Sequence, residues 1–391
     1  MKKLDYLLKK KTRKVIGLMS GTSADGIDAC LVKIDHARPK ARIKELGFKT
    51  YPFPEVLRKR ILQVSDPAFQ NLNEVLRLNM VMGEYFAEAA LSLMKRLGYD
   101  AKQIDLIGSH GQTIRHLPRE VKRFKKRIKA TLQIGEPSVI AQRTGVVTVG
   151  DFRTADMVAG GQGAPLAPLG HFLLFGKDNY PQMVLNLGGM ANFTILPKNC
   201  RLKEVWGFDT GPCNVILDAL ARLLFRKKFD RDGKMASAGR VNQNLLKKLK
   251  KHKYFRKTPP KSTGREDFDE IFIKRILDSR LLPEDLIATA CELIVWSIWD
   301  AYRRYVKPHY KIKRLIVSGG GAHNKYLLRR LSDLFYPVEV VISAKAGYHP
   351  DAVEAIVFAL LANQTINELP GGLKRVTGAN KDSILGKICV P

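Results

Sequence analysis

Two stretches of the chain share one pattern, and that pattern limits what the chain can fold into. Residues 15–32 read VIGLMSGTSADGIDACLV, and residues 183–196 read MVLNLGGMANFTIL. Each is a short apolar run, a glycine-bearing turn and a second apolar run, the signature of a β-hairpin. The elements after each hairpin also repeat. The first hairpin leads into a third strand (43–53), a helix with apolar positions at helical spacing (73–97, closed by Gly98), and a strand (104–107) running into Gly108-Ser109-His110-Gly111. The second leads into a strand (204–207), a stretch from Asp209 to Asn214 that opens a helix through 224, the long amphipathic helix 283–305, and a strand running into Ser318-Gly319-Gly320-Gly321. This repeated order predicts an α/β protein of two similar lobes, with a ligand in the cleft between them and one glycine hairpin from each lobe.

The turns specify what kind of ligand. Ser20, Gly21, Thr22, Ser23, Asp25 and Gly26 aim backbone N–H groups and hydroxyls at one spot, which suits a phosphate. Asp25 and Asp28 would repel a bare phosphate, so Mg²⁺ is expected between them and the anion. Taken alone, this motif reads equally well as a plain hairpin turn. His110 sits between two glycines at a strand end, where α/β folds place ligands. Residues 150–168, GDFRTADMVAGGQGAPLAP, are too glycine-rich to pack a core and too long for a simple turn. Asp156 in that segment is expected to act as a general base, and Asp151 to serve as a turn or cap residue.

The chain of 391 residues is long enough for two domains. The predicted division is a basic tail at 1–14, lobe I at 15–150 and lobe II at 151–369. Lobe II carries a basic insert at 226–282, and residues 370–391 are a candidate to return to lobe I. Lys and Arg number 67 against 37 acids, a net charge of +30 that favours acidic partners without choosing among them. Part of that charge is assigned to the solvated tail, to a surface loop at 115–129 and to an exposed helix face at 247–253. The loop 257–266 reads either as surface structure or as a segment reaching the cleft. Five cysteines form no CxxC pair, which argues against a disulfide framework or a zinc site. The N-terminus lacks the apolar stretch of a signal peptide, and the apolar run 286–299 contains Glu292 and is too short to span a bilayer. A cytoplasmic protein without a membrane span is expected.

The motifs taken together are far more specific than any one of them. They are Gly17 through Ser23 with Asp25, Gly26, Ile27 and Asp28; Ser109 through Thr113; Asp151-Phe152-Arg153 with Asp156; and Gly160 through Leu166. They continue with Asn186 through Gly189 and Asn192, Asp209-Thr210-Gly211-Pro212, Pro260 through Glu266, Gly319-Gly320-Gly321 with Asn324, and the tail at Thr377-Gly378-Ala379 and Leu385-Gly386. In this order the chain resembles the anhydro-N-acetylmuramic acid kinase family of the sugar kinase, actin and heat-shock ATPase superfamily. The resemblance implies two actin/hexokinase-like (ribonuclease H-like) lobes around an active-site cleft. It implies ATP-dependent phosphorylation of 1,6-anhydro-N-acetylmuramic acid with hydrolysis of the anhydro bridge, giving N-acetylmuramic acid 6-phosphate in peptidoglycan recycling.

By the same resemblance Asp156 is the base, and Arg153 orients it or the sugar. Asn186, Gly188, Gly189 and Asn192 hold phosphates, while Gly319, Gly320, Gly321 and Asn324 meet the adenosine. His110, Gln112 and Glu136 lie near the sugar and its lactyl carboxylate. ATP and Mg²⁺ are the implied cofactors, and a homodimer is the implied assembly. Two positions depart from the family pattern: Ala24 stands where a larger apolar residue is usual, and Val353 where Lys is frequent. Two other readings are weighed against this one. A kinase of the same superfamily acting on another amino sugar would have no need of the Asp156 segment. A nucleic-acid-binding protein would exploit the charge, but no specific nucleic acid is expected.

Overall fold

The computed structural model describes residues 2–36, 41–264 and 267–391. In chain order the described strands are β1 (Thr12–Ser20), β2 (Gly26–Asp35), β3 (Arg42–Pro52), β4 (Leu106–Arg123), β5 (Lys126–Ile134), β6 (Thr148–Gly150), β7 (Gln182–Leu187), β8 (Met190–Leu196), β9 (Trp206–Pro212), β10 (Arg314–Ser318), β11 (Glu339–Ile342) and β12 (Lys387–Cys389). They fall into two compact units. The first comprises Met1–Leu174 and Gly347–Pro391, and the second Phe175–Ala346. The division predicted at 150/151 and 369/370 is therefore displaced. Residues 151–174 stay with the first unit, and so does the helix Val353–Ile366, which packs on β1 and β4.

Both sheets share one plan. In the first, β1, β2 and β3 form an antiparallel meander, β4 lies parallel to β1 on its other side, and β6 lies parallel to β4. The C-terminal strand β12 joins β6 antiparallel at the edge. In the second, β7, β8 and β9 form the meander, β10 lies parallel to β7, and β11 lies parallel to β10. The spatial order third, second, first, fourth, fifth strand is the ribonuclease H-like arrangement. Each of the two glycine hairpins in the sequence supplies the first two strands of its sheet.

In the first unit the central strand β1 is apolar on both faces, because helices cover both. Ile16 and Leu18 face a core shared with Met82, Phe86, Ala90 and Leu93 of the helix Leu72–Leu97. That helix is capped by the Asn71 side chain, which accepts from Glu74 N, and ends at Gly98 in the left-handed conformation (φ 72°). The other face is covered by the helix Val353–Ile366, buried almost all round. Its approach is unusually close. Gly17 and Gly108 are partners across the β1–β4 ladder. A Cβ on Gly17 would lie 1.7 Å from the Ala355 carbonyl oxygen, and one on Gly108 would lie 2.1 Å from that of Phe358.

Three sequence expectations are corrected. Residues 1–14 are not a solvated tail: the helix Lys2–Lys9 precedes β1, and Leu7 and Arg13 are buried. Arg13 donates through Nε and Nη2 to the Leu7 carbonyl (2.9 and 2.5 Å), and through Nη1 to Oδ1 of Asn363 and Asn367 (2.8 and 3.0 Å). Lys10 pairs with Asp105 at 2.6 Å. These cations are tied into the fold rather than solvated.

Residues 115–129 are not a loop but the outer part of the β4–β5 hairpin. Its tip, Phe124 and Lys125, has φ of 46° and 64°, the positive pair that a tight primed turn requires. The alternation of Ile128, Ala130, Leu132 and Ile134 was the strand signal beneath the charge. Finally, of the stretch 209–214 expected to open a helix, only Asn214 does so. Residues 209–212 complete β9, and the helix is Asn214–Phe225.

Replacing Gly108 by Ala should cost about 3 kcal/mol of stability, because the clash is with helix backbone rather than a mobile side chain. Denaturant titration checks this, and a loss below about 1 kcal/mol contradicts the packing described.

Candidate active site

The first unit builds one polar network around the segment after β6. This segment is not structureless: residues 154–158 make a short helix, with Asp156 in its first turn. The chain then folds back over its own carboxylate. A Cβ on Gly161 would lie 2.1 Å from Asp156 Oδ2, so only glycine admits this turn. Asp156 is fully buried. Its Oδ2 accepts from Gly163 N (2.8 Å) and its Oδ1 from the Thr377 hydroxyl (2.7 Å). Burial pushes its pKa above the ordinary aspartate value, while Thr377, Gly163 N, Lys129 and Arg153 oppose that shift. A carboxylate held by two donors yet made more basic by burial has the character of a general base.

Arg153 and His110 belong to the same network. Arg153 Nη1 donates to the Gly163 carbonyl (2.7 Å), and its Nε and Nη2 lie 3.1 and 2.9 Å from His110 Nε2. His110 Nδ1 is 2.9 Å from the Gly111 carbonyl, which can only accept. Nδ1 therefore carries the proton and Nε2 accepts from the guanidinium. Burial, then Arg153, holds the His110 pKa well below the usual histidine range, so the ring is neutral. Phe358 packs on it with ring centroids 4.6 Å apart. Lys129 of β5 donates to the carbonyls of Gly160 and Gly161 (2.5 and 2.9 Å) and so ties the hairpin to the turn.

The β1–β2 turn is stapled to β4. Ser20 Oγ lies 2.8 Å from the Gly26 carbonyl and 2.6 Å from Gln112 Oε1, while Gln112 Nε2 donates to the carbonyls of Gly21 and Thr113 (both 3.2 Å). Ser20 and Gln112 are buried, so both shape the turn from beneath. Ala24, the small residue at the tip, is buried with φ 50°. Ser23 Oγ donates to the exposed Asp25 (2.8 Å).

Asp28 accepts from Thr50 Oγ1 (2.5 Å). Its pKa is pushed up to about 7, first by burial and then by the charges of Glu354, Asp351 and Asp25. Among the described residues, no group of three or more His, Cys, Asp or Glu gathers there. Glu136 is occupied locally: its Oε1 caps the helix Pro137–Thr144 at Ser138 N (3.1 Å), and its Oε2 accepts from Asn79 Nδ2 (3.3 Å). Asp151 has φ 54°, accepts from Thr154 Oγ1 (2.6 Å) and pairs with Lys387 (2.6 Å), as a turn residue does.

The second unit lines up polar residues at the ends of its strands. Ser318 of β10 is the register partner of Asn186 of β7, Asn186 of Asn192 of β8, and Asn192 of Asp209 of β9. This row crosses four strands beside the Gly188-Gly189 turn, at the C-terminal ends of the parallel pair. Ser318 Oγ and Asn192 Oδ1 are buried with no hydrogen-bond partner among the described residues, which marks this row as a candidate ligand contact. The carbonyls of Gly188 and Gly189 accept from Asn214 N and Val215 N at the start of the helix Asn214–Phe225 (3.1 and 3.2 Å). Gly319 has φ 79° and leads through Gly320 and Gly321 to Asn324. Asn324 caps the helix Lys325–Phe335 by accepting from Leu327 N (3.0 Å).

Several site residues had no local sequence signal. Thr377 reaches Asp156 across 221 positions. Lys129 and Ser318 stood within a charged run and an apolar run. The loop before residue 265 is partly exposed, at Thr258 and Pro260, but it is anchored to β9. Asp209 Oδ2 accepts from Thr263 N (2.9 Å), and Lys261 is buried with its ammonium 4.7 Å from the centre of the Tyr254 ring. Burial, then Arg304, lowers the Lys261 pKa to about 8. Arg265 and Glu266 of the same motif lie outside the described residues.

Comparison with known proteins gives the family. Residues 13–391 match the family described as anhydro-N-acetylmuramic acid kinase. The anhydro-N-acetylmuramic acid kinase of Caldanaerobacter subterraneus is 41% identical over 394 residues, covering 99% of this chain and 100% of the relative. That of Salinibacter ruber is 44% identical over 395 residues with the same coverage, and that of Clostridioides difficile is 38% identical over 375 residues, covering 95% and 97%. With the family match spanning both units and every one of these motifs, the chain belongs to the anhydro-N-acetylmuramic acid kinase family.

Proposed function

We propose that this chain is an ATP-dependent kinase that opens 1,6-anhydro-N-acetylmuramic acid with water and phosphorylates O6, yielding N-acetylmuramic acid 6-phosphate for peptidoglycan recycling. The observation that carries the reading is the Asp156 carboxylate, made more basic by burial and held by Thr377 and Gly163 in the glycine turn. Water attacks C1 and gives its proton to Asp156. The C1–O6 bond breaks, O6 takes the γ-phosphoryl group, and ADP leaves. An ordinary inverting glycosidase needs a second carboxyl group to protonate the departing oxygen. Here phosphoryl capture replaces it, so one carboxylate suffices. Because Asp156 is fully covered, the Gly160–Gly163 turn must yield when substrate enters.

Arg153, fixed by neutral His110, sets the position of that turn through the Gly163 carbonyl. His110, Gln112 and Glu136 are the proposed neighbours of the sugar, the last two acting mainly through the backbone they hold. Ser20, Gly21, Thr22, Ser23 and Gly26 serve the β- and γ-phosphates from the first unit. Asn186, Gly188, Gly189 and Asn192 serve the phosphates from the second, where Asn192 Oδ1 and Ser318 Oγ stand ready as unsatisfied atoms. Gly319, Gly320, Gly321 and Asn324 are assigned to the adenosine.

The oxygen donors of Asp25 and Asp28 suit Mg²⁺, and a cation would offset what raises the Asp28 pKa, first burial and then the negative charges of Glu354, Asp351 and Asp25. These two residues would hold it, and it would neutralise charge on the phosphates during transfer. A cytoplasmic homodimer is part of the same reading. Among the described residues no helix is long and apolar enough to cross a membrane.

The test is a coupled assay in ¹⁸O water with ATP, Mg²⁺ and 1,6-anhydro-N-acetylmuramic acid, read by mass spectrometry. A sugar phosphate carrying one new ¹⁸O is expected. Phosphorylation of other amino sugars with this one returned intact would overturn the reading.

Asp28 supplies a check independent of turnover. Its folded pKa lies above the ordinary aspartate value, so its ionised form opposes folding; the contribution is favourable at low pH and is lost as pH rises through about 7. Asp28→Asn should therefore melt higher than wild type above pH 7, with the gap closing in acid. Mg²⁺ should raise the wild-type Tm at that pH and leave the variant's unchanged. An equal Mg²⁺ effect on both proteins would remove Asp28 from the metal site.

A further inference from the structure

Beyond Thr113 and Gln133, β4 and β5 extend as a two-stranded ribbon whose composition, Lys129 apart, the proposed reaction does not use. Cross-strand partners share a face. Leu117 opposes Ala130, Val121 opposes Ile128, and Leu132 opposes Arg115. Leu117, Val121, Ile128 and Leu132 thus lie on one face, and each is about half exposed. Phe124 at the tip is 98% exposed. Residues 115–129 carry eight Lys or Arg against the single acid Glu120. Arg115 donates to the Asp66 carbonyl, Lys129 to the glycine turn, and Arg127 pairs with Glu120 at 3.4 Å. No ion pair holds Arg119, Lys122, Arg123, Lys125 or Lys126 among the described residues.

A solvated hairpin needs neither the aliphatic face nor a bare phenylalanine. An aliphatic stripe flanked by cations and tipped by an aromatic ring is the chemistry of an interfacial anchor: apolar side chains enter the boundary between head groups and acyl chains, and the cations meet anionic head groups. Two other occupants fit less well. Nucleic acid is gripped by cations together with aromatic platforms, and here four of the five apolar residues are aliphatic and offer no ring to stack on. A second copy of the chain would bring two strongly cationic ribbons together. We propose that the β4–β5 ribbon docks the enzyme peripherally on anionic lipid bilayers, with Phe124 leading and Lys122, Arg123, Lys125 and Lys126 meeting the head groups.

The test sediments the full chain with vesicles of phosphatidylcholine alone, or mixed with phosphatidylglycerol, across a salt series. Binding to the mixed vesicles that weakens with salt, and none to the neutral ones, is expected. The triple variant Lys122→Glu, Lys125→Glu, Lys126→Glu should lose at least roughly tenfold in partitioning, with unaltered circular dichroism and kinase activity in solution. In Phe124→Trp, the emission should shift to the blue on mixed vesicles only. Absent binding, equal binding to neutral vesicles, or unchanged binding of the triple variant would each overturn the proposal. So would ribbon-dependent binding of tRNA without vesicle binding, or a change in oligomeric state on charge reversal.

Discussion

The first unit depends on a close approach between backbone and backbone. Gly17 and Gly108 sit side by side on the two central strands, and the helix Val353–Ile366 runs over them where no Cβ would fit. The contact joins residues from opposite ends of the chain, so the C-terminal segment is part of the first unit's core rather than an appendage. It also has chemical consequences. The same helix places Phe358 against the His110 ring and presents Asn363 and Asn367 to the buried Arg13. The segment after it carries Thr377 to Asp156. A helix standing a methyl group further off would loosen both the His110 contact and the Thr377–Asp156 bond.

Within that network, charge is controlled by burial more than by pairing. His110 is kept neutral so that it can accept from Arg153, and Arg153 in turn fixes the carbonyl of Gly163, whose N–H holds Asp156. Thr377 and Gly163 N stabilise the carboxylate, and desolvation works against them. The balance leaves a carboxylate of raised pKa without a neighbouring acid, the character that the proposed base needs. That suits a reaction whose leaving oxygen is captured by phosphorus instead of a proton. The second unit has a different character, a row of polar residues at strand ends, Asp209 among them, in which Asn192 Oδ1 and Ser318 Oγ have no hydrogen-bond partner among the described residues.

Much of this was legible in the residues. The two glycine hairpins and the helices after them have strong periodicity, so the strands β1, β2, β7 and β8 and the helices Leu72–Leu97 and Pro283–Tyr305 fell close to where the pattern put them. What was not legible is what depends on distant partners. Arg13 reads as one more cation in a basic tail until Asn363 and Asn367 are brought to it. Thr377 carries no mark of its bond to Asp156. Glu136 and Asn324 each cap a helix, a structural duty that their place in the family motifs does not reveal. In residues 115–129 the density of charge concealed the two-residue alternation of a ribbon, because such a strand needs no buried face to keep its ladder.

The central claim is that the Asp156 carboxylate is the base for ring opening, and the most direct measurement is kcat for Asp156→Asn on 1,6-anhydro-N-acetylmuramic acid. The amide keeps the shape but cannot take the water's proton. The account predicts a fall of roughly 10²–10⁴-fold in kcat with the unfolding midpoint near that of wild type. A folded variant that still turns over the anhydro sugar within roughly tenfold of wild type would contradict the account, because loss of a general base should cost more than that.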